Sequence, residues 1–349
     1  MSGIADDSTV SSGTDPPETA VVRPVKRVRG RDFAERYALL GVWVLIIVGF
    51  GVAGPSTFLS TANFATIFGS QAVVVLLALG LIIPMTAGDY DLSVAFTLTL
   101  SAMMVAILNV NHHWPIGAAI LAALLCGITI GLINGVIVTY FGIDSIIVTL
   151  GIGTCLAGIV QWISNSTTIS GISSHLTDFV VGKNFLSVTL GFYYGLALCI
   201  VIWYVFEFMP VGRRLLVVGR GRNVARLSGL HVQRLRIGGL IASGLIAAAA
   251  GVVYAGTSGA ADPTSGTQLL LPSFAAAFLG STAIQPGRFN PWGAFIAVYF
   301  LATGITGLQL LGIASFVQDL FYGGALVLAV ILSQIARRRQ ALVHGAAEA

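Results

Sequence analysis

Two carboxylates, Asp89 and Asp91, lie in the segment MTAGDYDLSVAF between two stretches of apolar residues. An ionised carboxylate beside hydrocarbon is costly, so such a side chain usually faces a cavity, an ion or a hydrogen-bonding partner. Asp91 precedes Leu-Ser and an apolar run, which favours a cap that accepts a backbone N–H at the start of a helix. Contact with a solute or an ion is the alternative. Asp144 has the same two interpretations, with capping favoured more strongly.

Five neutral polar side chains lie inside the apolar stretches that follow. A neutral, hydrated solute needs hydroxyl and amide partners more than it needs a counter-ion. Hydroxyl groups that only pack helices together look the same in a sequence, so both interpretations stay open. Together with Asp91, the candidate residues of a solute path are Ser93, Thr97, Ser101, Asn134 and Thr149.

The sequence lacks the motifs of nucleotide hydrolysis, metal binding and covalent catalysis. A phosphate-binding loop needs the pattern GxxxxGK[ST], and neither of the two lysines, Lys26 and Lys183, ends such a loop. No HExxH or CxxC spacing and no grouping of Ser, His and an acid stands out. We therefore expect no enzyme activity, no metal site and no cofactor bound by this chain.

The elements that must position these side chains are membrane spans. Of the 349 residues, 56% are hydrophobic and 9% are charged, and the mean hydropathy of +0.91 is far from that of a soluble domain. A helix needs about 20 apolar residues to cross the hydrocarbon core. The chain is thus predicted to be an all-α polytopic membrane protein with about ten transmembrane helices, at residues 37–53, 66–86, 92–110, 116–140, 143–163, 188–208, 237–256, 269–284, 292–310 and 315–335.

Three regions follow from these spans. Residues 1–35 are predicted to be a disordered, basic cytoplasmic tail, residues 36–336 the membrane domain, and residues 337–349 a second cytoplasmic tail. The eighth span contains Pro272 and is barely long enough, which predicts a broken or re-entrant helix. Glycines at small-residue spacing in GITIGLINGVIV and GLIASGLIAAAAG predict close packing between helices.

The Lys and Arg residues predict the orientation of the chain. Seventeen of the eighteen fall at 23–36, 213–236, 288 and 337–339, and Lys183 lies apart. Cytoplasmic loops are enriched in these residues, so the four stretches mark the cytoplasmic face, and ten spans place both termini there. Because the basic residues flank apolar spans, orientation explains the net charge of +4 better than a nucleic-acid partner does.

The stretch of residues 212–238, with the sequence GRRLLVVGRGRNVARLSGLHVQRLRIG, carries seven arginines. Val224, Leu227 and Leu230 recur every three residues, which predicts a short amphipathic helix along the membrane edge. This helix either lies on anionic lipid or docks onto a soluble partner, and a positive loop is expected here from topology alone.

Four segments resemble motifs of the permease subunits of bacterial ABC importers for monosaccharides of the ribose, xylose and galactose type. GDYDLSVAFTLTLSA is similar to that family's GGIDLSVG signature, and NGVIVTYFGIDSIIVTLGIGTCLAGI to its NGxLVxxxxIPPFIVTLGTxxxxRGI region. GRRLLVVGRGRNVARLSGLHVQRLRI resembles its GRxxYAIGGNxxAARLSGIxVxRxK loop, and AADPTSGTQLLLPSFAAAFLGST a further stretch. The four motifs occur in the family's order and span roughly residues 35–335.

The resemblance implies a type II ABC-importer-like permease in the bacterial cytoplasmic membrane. It implies ten helices per subunit, a homo- or heterodimer, an extracytoplasmic solute-binding protein, and two cytoplasmic ATPase subunits that hold ATP and Mg²⁺. It also places a coupling loop at about 210–237, with Gly229 as the position that permits a turn. The residues it assigns to coupling are Asn223, Ala225, Arg226, Ser228, Gly229 and Leu230.

The chain departs from the family pattern at three places. Asp89 replaces a glycine of the signature, Asp144 and Ser145 replace a pair of prolines, and Gln268 stands where an acidic residue is usual. These departures leave the identity of the substrate open and are consistent with a subgroup of the family. A second hypothesis, from another class, is a secondary transporter that uses an ion gradient, with Asp89 or Asp91 titrating or binding the cation. A channel or a membrane scaffold is a third hypothesis, which the absence of any recognisable filter motif disfavours.

Overall fold

The computed structural model describes residues 29–182, 184 and 185, 188–314 and 316–345. Most of the predicted amino-terminal tail, Lys183 and residues 346–349 lie outside this part of the chain. The helices are α1 (Arg29–Ala53), α2 (Pro55–Phe58), α3 (Thr61–Ser70), α4 (Ala72–Thr86), α5 (Val94–Ala106), α6 (Ile116–Tyr140), α7 (Ser145–Ile163), α8 (Ser174–Thr177), α9 (Leu190–Phe208), α10 (Pro210–Arg220), α11 (Arg222–Leu227), α12 (Val232–Ser258), α13 (Thr267–Gly280), α14 (Pro291–Leu310) and α15 (Phe316–Gly345).

Short irregular elements connect the helices. π-Helical turns at Ile107–Asn111 and Asp178–Gly182 continue α5 and α8. The strands are β1 (Ile169–Ser170), β2 (Asn184–Phe185), β3 (Val188–Thr189) and β4 (Ala260–Ala261). They form two antiparallel ladders, β1 with β4 and β2 with β3. The ladder between β1 and β4 joins the loop after α7 to the loop after α12, so two loops on the predicted outer side are tied together.

The lengths of the helices agree with a polytopic membrane protein. Within the described residues, eight helices are long and apolar enough to cross a membrane, and the pair α3–α4 makes a ninth crossing if it counts as one span. The predicted span 66–86 is therefore not a single helix, because it breaks at Gln71 with a bend of 41°. The eight helices, the pair α3–α4 and the short α13 are ten apolar segments among the described residues, which confirms the predicted approximate count of about ten.

The eighth predicted span is the incomplete one. α13 has 14 residues, ends at Gly280 and contains Pro272. At 1.5 Å per residue it is about 21 Å long, which is shorter than the roughly 30 Å of a hydrocarbon core. The chain beyond it, from Ser281 to Asn290, forms turns that return directly to α14. A helix of this kind persists at membrane depth only because other helices cover it.

The core is organised around α12, which packs against α4, α5 and α6. The glycines of α6 and α12 face one another: a Cβ atom on Gly131 would lie 2.5 Å from the carbonyl oxygen of Leu240, and one on Gly127 would lie 2.5 Å from that of Gly244. No larger side chain fits between backbones at this distance, so small residues are required for the contact. The predicted close packing of these two segments is confirmed.

Candidate functional site

The loop from Ala87 to Ser93 joins α4 to α5 and holds both carboxylates. Asp91 is fully buried, and its Oδ1 accepts hydrogen bonds from the backbone N–H of Ser93 at 3.0 Å and from the Ser93 hydroxyl at 2.6 Å. Asn134, on α6, donates from Nδ2 to Ser93 Oγ at 2.8 Å. Asp91 accepts a backbone N–H just before α5, but it is not the helix cap that the sequence predicts: α5 begins at Val94, its N-cap residue is Ser93, and no side chain caps it.

Burial is the main influence on Asp91 and raises the pKa of its carboxyl above the ordinary value, while the bonds from Ser93 lower it. Ser243, on α12, lies near enough to lower the same pKa, although the pair falls outside hydrogen-bond geometry. Asp91 Oδ2, Asn134 Oδ1 and Ser243 Oγ are all buried without a partner among the described residues. The site thus contains uncommitted polar atoms on a loop and two helices.

The first turns of α7 hold the same loop from another side. Ser145 Oγ accepts from the backbone N–H of Tyr90 at 2.9 Å, and Thr149 Oγ1 accepts from that of Leu92 at 3.0 Å. Thr149 in turn donates to the carbonyl of Ser145 at 2.7 Å. Asp144 caps this helix by accepting the N–H of Ile146 at 2.8 Å, so its predicted capping role is confirmed.

The remaining two candidates of the solute path lie on α5. Ser101 donates from Oγ to the carbonyl of Ala248 at 2.7 Å, which makes it a contact with α12. Thr97 is buried, and its hydroxyl has no hydrogen-bond partner among the described residues. Four of the six candidates therefore meet at the loop and two do not. All six are buried: Asp91, Ser93, Thr97, Ser101, Asn134 and Thr149.

Asp89 is bound by two arginines from the arginine-rich stretch of residues 212–238. Arg236, on α12, donates from Nε to Asp89 Oδ2 at 2.7 Å and from Nη2 to Oδ1 at 2.6 Å, which is a two-bond fork. Arg222, the first residue of α11, donates from Nη2 to Oδ1 at 3.0 Å and to the carbonyl of Gly88 at 2.9 Å. We call Asp89, Arg222 and Arg236 the carboxylate clasp. Because two guanidinium groups already bind this carboxylate, cation binding by Asp89 is not favoured.

The arginine-rich stretch of residues 212–238 forms helices and a tight turn. α11 ends at Leu227, so the predicted amphipathic helix is shorter than expected and Leu230 lies outside it. Ala225 is buried, whereas Val224 is 65% and Leu227 is 88% exposed. The predicted apolar face therefore points away from the protein. Gly229 has φ of +77°, the left-handed region that favours glycine, so it permits the turn as expected.

The other residues assigned to coupling surround this turn. Asn223, Arg226 and Ser228 are exposed, and Leu230 is half-buried. The N–H of Gly229 donates to the carbonyl of Arg226 at 3.0 Å, and that of Leu230 to the carbonyl of Ala225 at 3.1 Å. Beneath the turn lies a cavity of about 310 Å³, lined by Arg214, Gly229, Leu230, His231, Arg234 and Leu235.

Sequence reasoning missed the arginines of the carboxylate clasp and the roles of Ser145 and Ser243. The only signal for the clasp in the sequence was an acid in place of a glycine of the motif that this segment resembles, with an arginine-rich stretch far away in the chain. Among the described residues, no three His, Cys, Asp or Glu side chains lie close enough together to hold a metal ion.

A polytopic helical domain with a broken span is typical of membrane transport proteins. Residues 63–330 match the family described as branched-chain amino acid transport system, permease component, and the chain belongs to this family. It is the translocation subunit of an ABC importer, and nucleotide hydrolysis belongs to separate ATPase subunits. Such importers also use a solute-binding protein. A multi-pass permease of this kind resides in the bacterial inner membrane.

Curated relatives cover most of the chain. The D-allose transport system permease protein AlsC of Escherichia coli K12 is 29% identical over 303 residues, which are 87% of this chain and 93% of the relative. The ribose import permease protein RbsC of Bacillus subtilis 168 is 30% identical over 296 residues, 84% and 91% of the two chains. The L-arabinose ABC transporter permease protein AraH of Azospirillum brasilense is 26% identical over 330 residues, 94% and 96%. No solved structure is significantly similar to the chain.

Proposed function

We propose that this chain forms the path by which a monosaccharide or similar polyhydroxylated solute enters the cell. The relatives named above are permeases for D-allose, ribose and L-arabinose, although the family's description refers to branched-chain amino acids. The loop network supports a neutral cargo because most of its polar side chains are hydroxyls and an amide, and the one carboxylate of the loop outside the clasp, Asp91, already accepts two hydrogen bonds. An amino acid zwitterion needs charged partners for both of its ends.

The observation that carries the coupling role is the exposed apolar pair on α11. Val224 and Leu227 lie outside every span, on a helix that also presents Arg226 to solvent. Large apolar side chains surrounded by cationic groups are typical of a protein–protein contact. We assign this pair, with Asn223, Ala225, Arg226, Ser228, Gly229 and Leu230, to a surface that docks into an ATPase subunit.

The assembly that we propose has two permease subunits, identical or different, with lipid around them. Both termini lie in the cytoplasm, so that α11 meets the ATPase subunits and the loops tied by β1 and β4 meet the binding protein. ATP and Mg²⁺ are held by the ATPase subunits, and this chain holds no cofactor. The solute path includes Asp91, Ser93, Thr97, Ser101, Asn134 and Thr149, which become accessible when the helices around them separate.

Reconstitution tests this function. The chain is placed in proteoliposomes with its ATPase and solute-binding-protein partners, and uptake of labelled D-allose, ribose, L-arabinose and leucine is measured with and without ATP. We expect uptake of one sugar that requires ATP and the binding protein. Uptake by the chain alone, driven by a Na⁺ or proton gradient, contradicts the proposal and supports a secondary transporter. Uptake of leucine but of no sugar refutes the assigned cargo.

A further inference from the structure

The carboxylate clasp joins both ends of residues 222–236, which we call the docking segment, to the loop from Ala87 to Ser93. Arg222 begins α11, and Arg236 lies in the second turn of α12, after the turn at Gly229. Both bind Asp89, which lies two residues before Asp91. A displacement of α11 that moves either arginine therefore acts directly on the loop that holds the solute-path candidates.

The bonds of the carboxylate clasp are largely buried. Asp89 is buried, Arg236 is 11% exposed and Arg222 is 44% exposed, so the bonds to Arg236 are shielded from water. Charge-assisted bonds in such a site are short and directional. A backbone hydrogen bond also holds the loop, because the N–H of Asp89 donates to the carbonyl of Pro84 at 3.0 Å. The loop thus moves together with the end of α4.

The helix before the clasp is also in direct backbone contact with α4. The backbone of Gly219, on α10, packs so closely on the carbonyl of Thr86 that a Cβ atom would collide with it. Beyond the clasp, the same loop is fastened to α6 through Ser93 and Asn134 and to α7 through Thr149. The docking segment is therefore connected to three spans, α4, α6 and α7, through the seven loop residues from Ala87 to Ser93.

We propose that the carboxylate clasp is the element that transmits ATPase movement to the solute path, and that Asp89 is a positioning residue for transport. This inference rests on the proposed function, since it presumes that α11 docks onto an ATPase subunit. A clasp that served only as a brace would change the stability of the fold but leave the number of ATP molecules used per solute unchanged.

The experiment measures ATP hydrolysed per solute imported in the reconstituted complex, together with the midpoint of thermal unfolding. The variants are Asp89→Asn, Arg236→Gln, Arg236→Lys and Arg222→Gln. Arg213→Gln is the matched control, because Arg213 is an exposed arginine of the same stretch that forms no ion pair within the described residues. Arg222→Gln keeps the test decisive if the buried variants fail to fold, because that side chain is partly exposed.

We expect Asp89→Asn and Arg236→Gln to raise the ATP used per solute by about fivefold or more, the lower range for a coupling between two sites. Arg236→Lys keeps the charge but loses the fork, so a smaller rise is expected. The double variant Asp89→Asn with Arg236→Gln should be no worse than Asp89→Asn alone, since Asp89→Asn already breaks the ion pairs to both arginines.

Two results separate the inference from the function on which it rests. If the wild-type complex imports sugar with ATP and Asp89→Asn and Arg222→Gln keep its ATP cost per solute, the clasp is only a brace and the inference is wrong. If the wild-type chain shows no ATP-dependent uptake at all, the proposed function itself fails before any variant is compared. A rise in ATP cost with Arg213→Gln as large as with Arg222→Gln also overturns the inference, because the effect then follows net charge and not the clasp.

Discussion

Leu227→Ala tests whether α11 is a docking surface. Leu227 is 88% exposed, so the isolated permease gains little from this side chain. Most surface substitutions outside special features change the free energy of unfolding by less than about 0.5 kcal/mol. We therefore expect the midpoint of thermal unfolding of the permease alone to stay unchanged. Any loss should show only when the ATPase subunit is present.

The expected loss of binding free energy follows from the apolar groups that the substitution removes. Replacing leucine by alanine removes three carbon groups, each worth about 0.8 kcal/mol when it leaves water, and full burial would make the total about 2.4 kcal/mol. Incomplete burial at an interface lowers this to about 2 kcal/mol, which corresponds to about a thirtyfold increase in the dissociation constant. Arg226 and Asn223 remain in place, so the change reports the apolar contact alone.

The assay is binding of the purified ATPase subunit to the permease in nanodiscs, measured as a titration at fixed ionic strength. Leu311→Ala is the matched control, because Leu311 is also an exposed leucine but follows α14 on the predicted outer side. We expect a weaker dissociation constant for Leu227→Ala and no change for the control. Equal affinities for both variants would refute the reasoning that places α11 in the interface.

Three further substitutions test the turn, the helix packing and the loop. Gly229→Ala places a side chain in a left-handed conformation at a cost of about 1–2 kcal/mol, and proline cannot adopt this conformation at all. Transport and partner-stimulated ATP hydrolysis should therefore fall with Gly229→Ala and fall further with Gly229→Pro. Unchanged values for Gly229→Pro contradict the coupling assignment. Gly131→Ala should lower stability in detergent by about 1–3 kcal/mol, whereas Gly117→Ala, with open space around it, should not. Thr149→Val leaves the N–H of Leu92 without its acceptor, so it should destabilise the protein by about 1–3 kcal/mol. A raised KM for solute at unchanged stability would indicate instead that Thr149 contacts the solute.

Hydropathy predicted most of the spans because crossing a bilayer imposes a minimum apolar length on every helix. It failed at 66–86, where α3 and α4 form one apolar stretch with a bend at Gln71. A composition average does not register a change of direction within a run of apolar residues. It identified the weakness of the eighth span correctly, because Pro272 and a short apolar run are local features.

The docking segment was located by its arginines but not described correctly by its periodicity. Val224, Leu227 and Leu230 were expected to share one face of a helix, yet the helix ends at Leu227 before the turn at Gly229. Ala225 is the residue that packs inward, and the larger side chains point outward. A three-residue repeat shows that side chains share a face, and the tertiary structure decides which face is covered.

The amino-acid sequence alone determined that this is a helical membrane protein and where most of its spans lie, because these properties depend on local composition. Only the tertiary structure decided which groups bind the two carboxylates. Asp91 lies in a buried network with Ser93 and Asn134, whereas Asp89 is bound by Arg222 and Arg236, 133 and 147 residues further along the chain. Which charged groups meet across such separations depends on how the helices pack, and no local pattern in the chain records it.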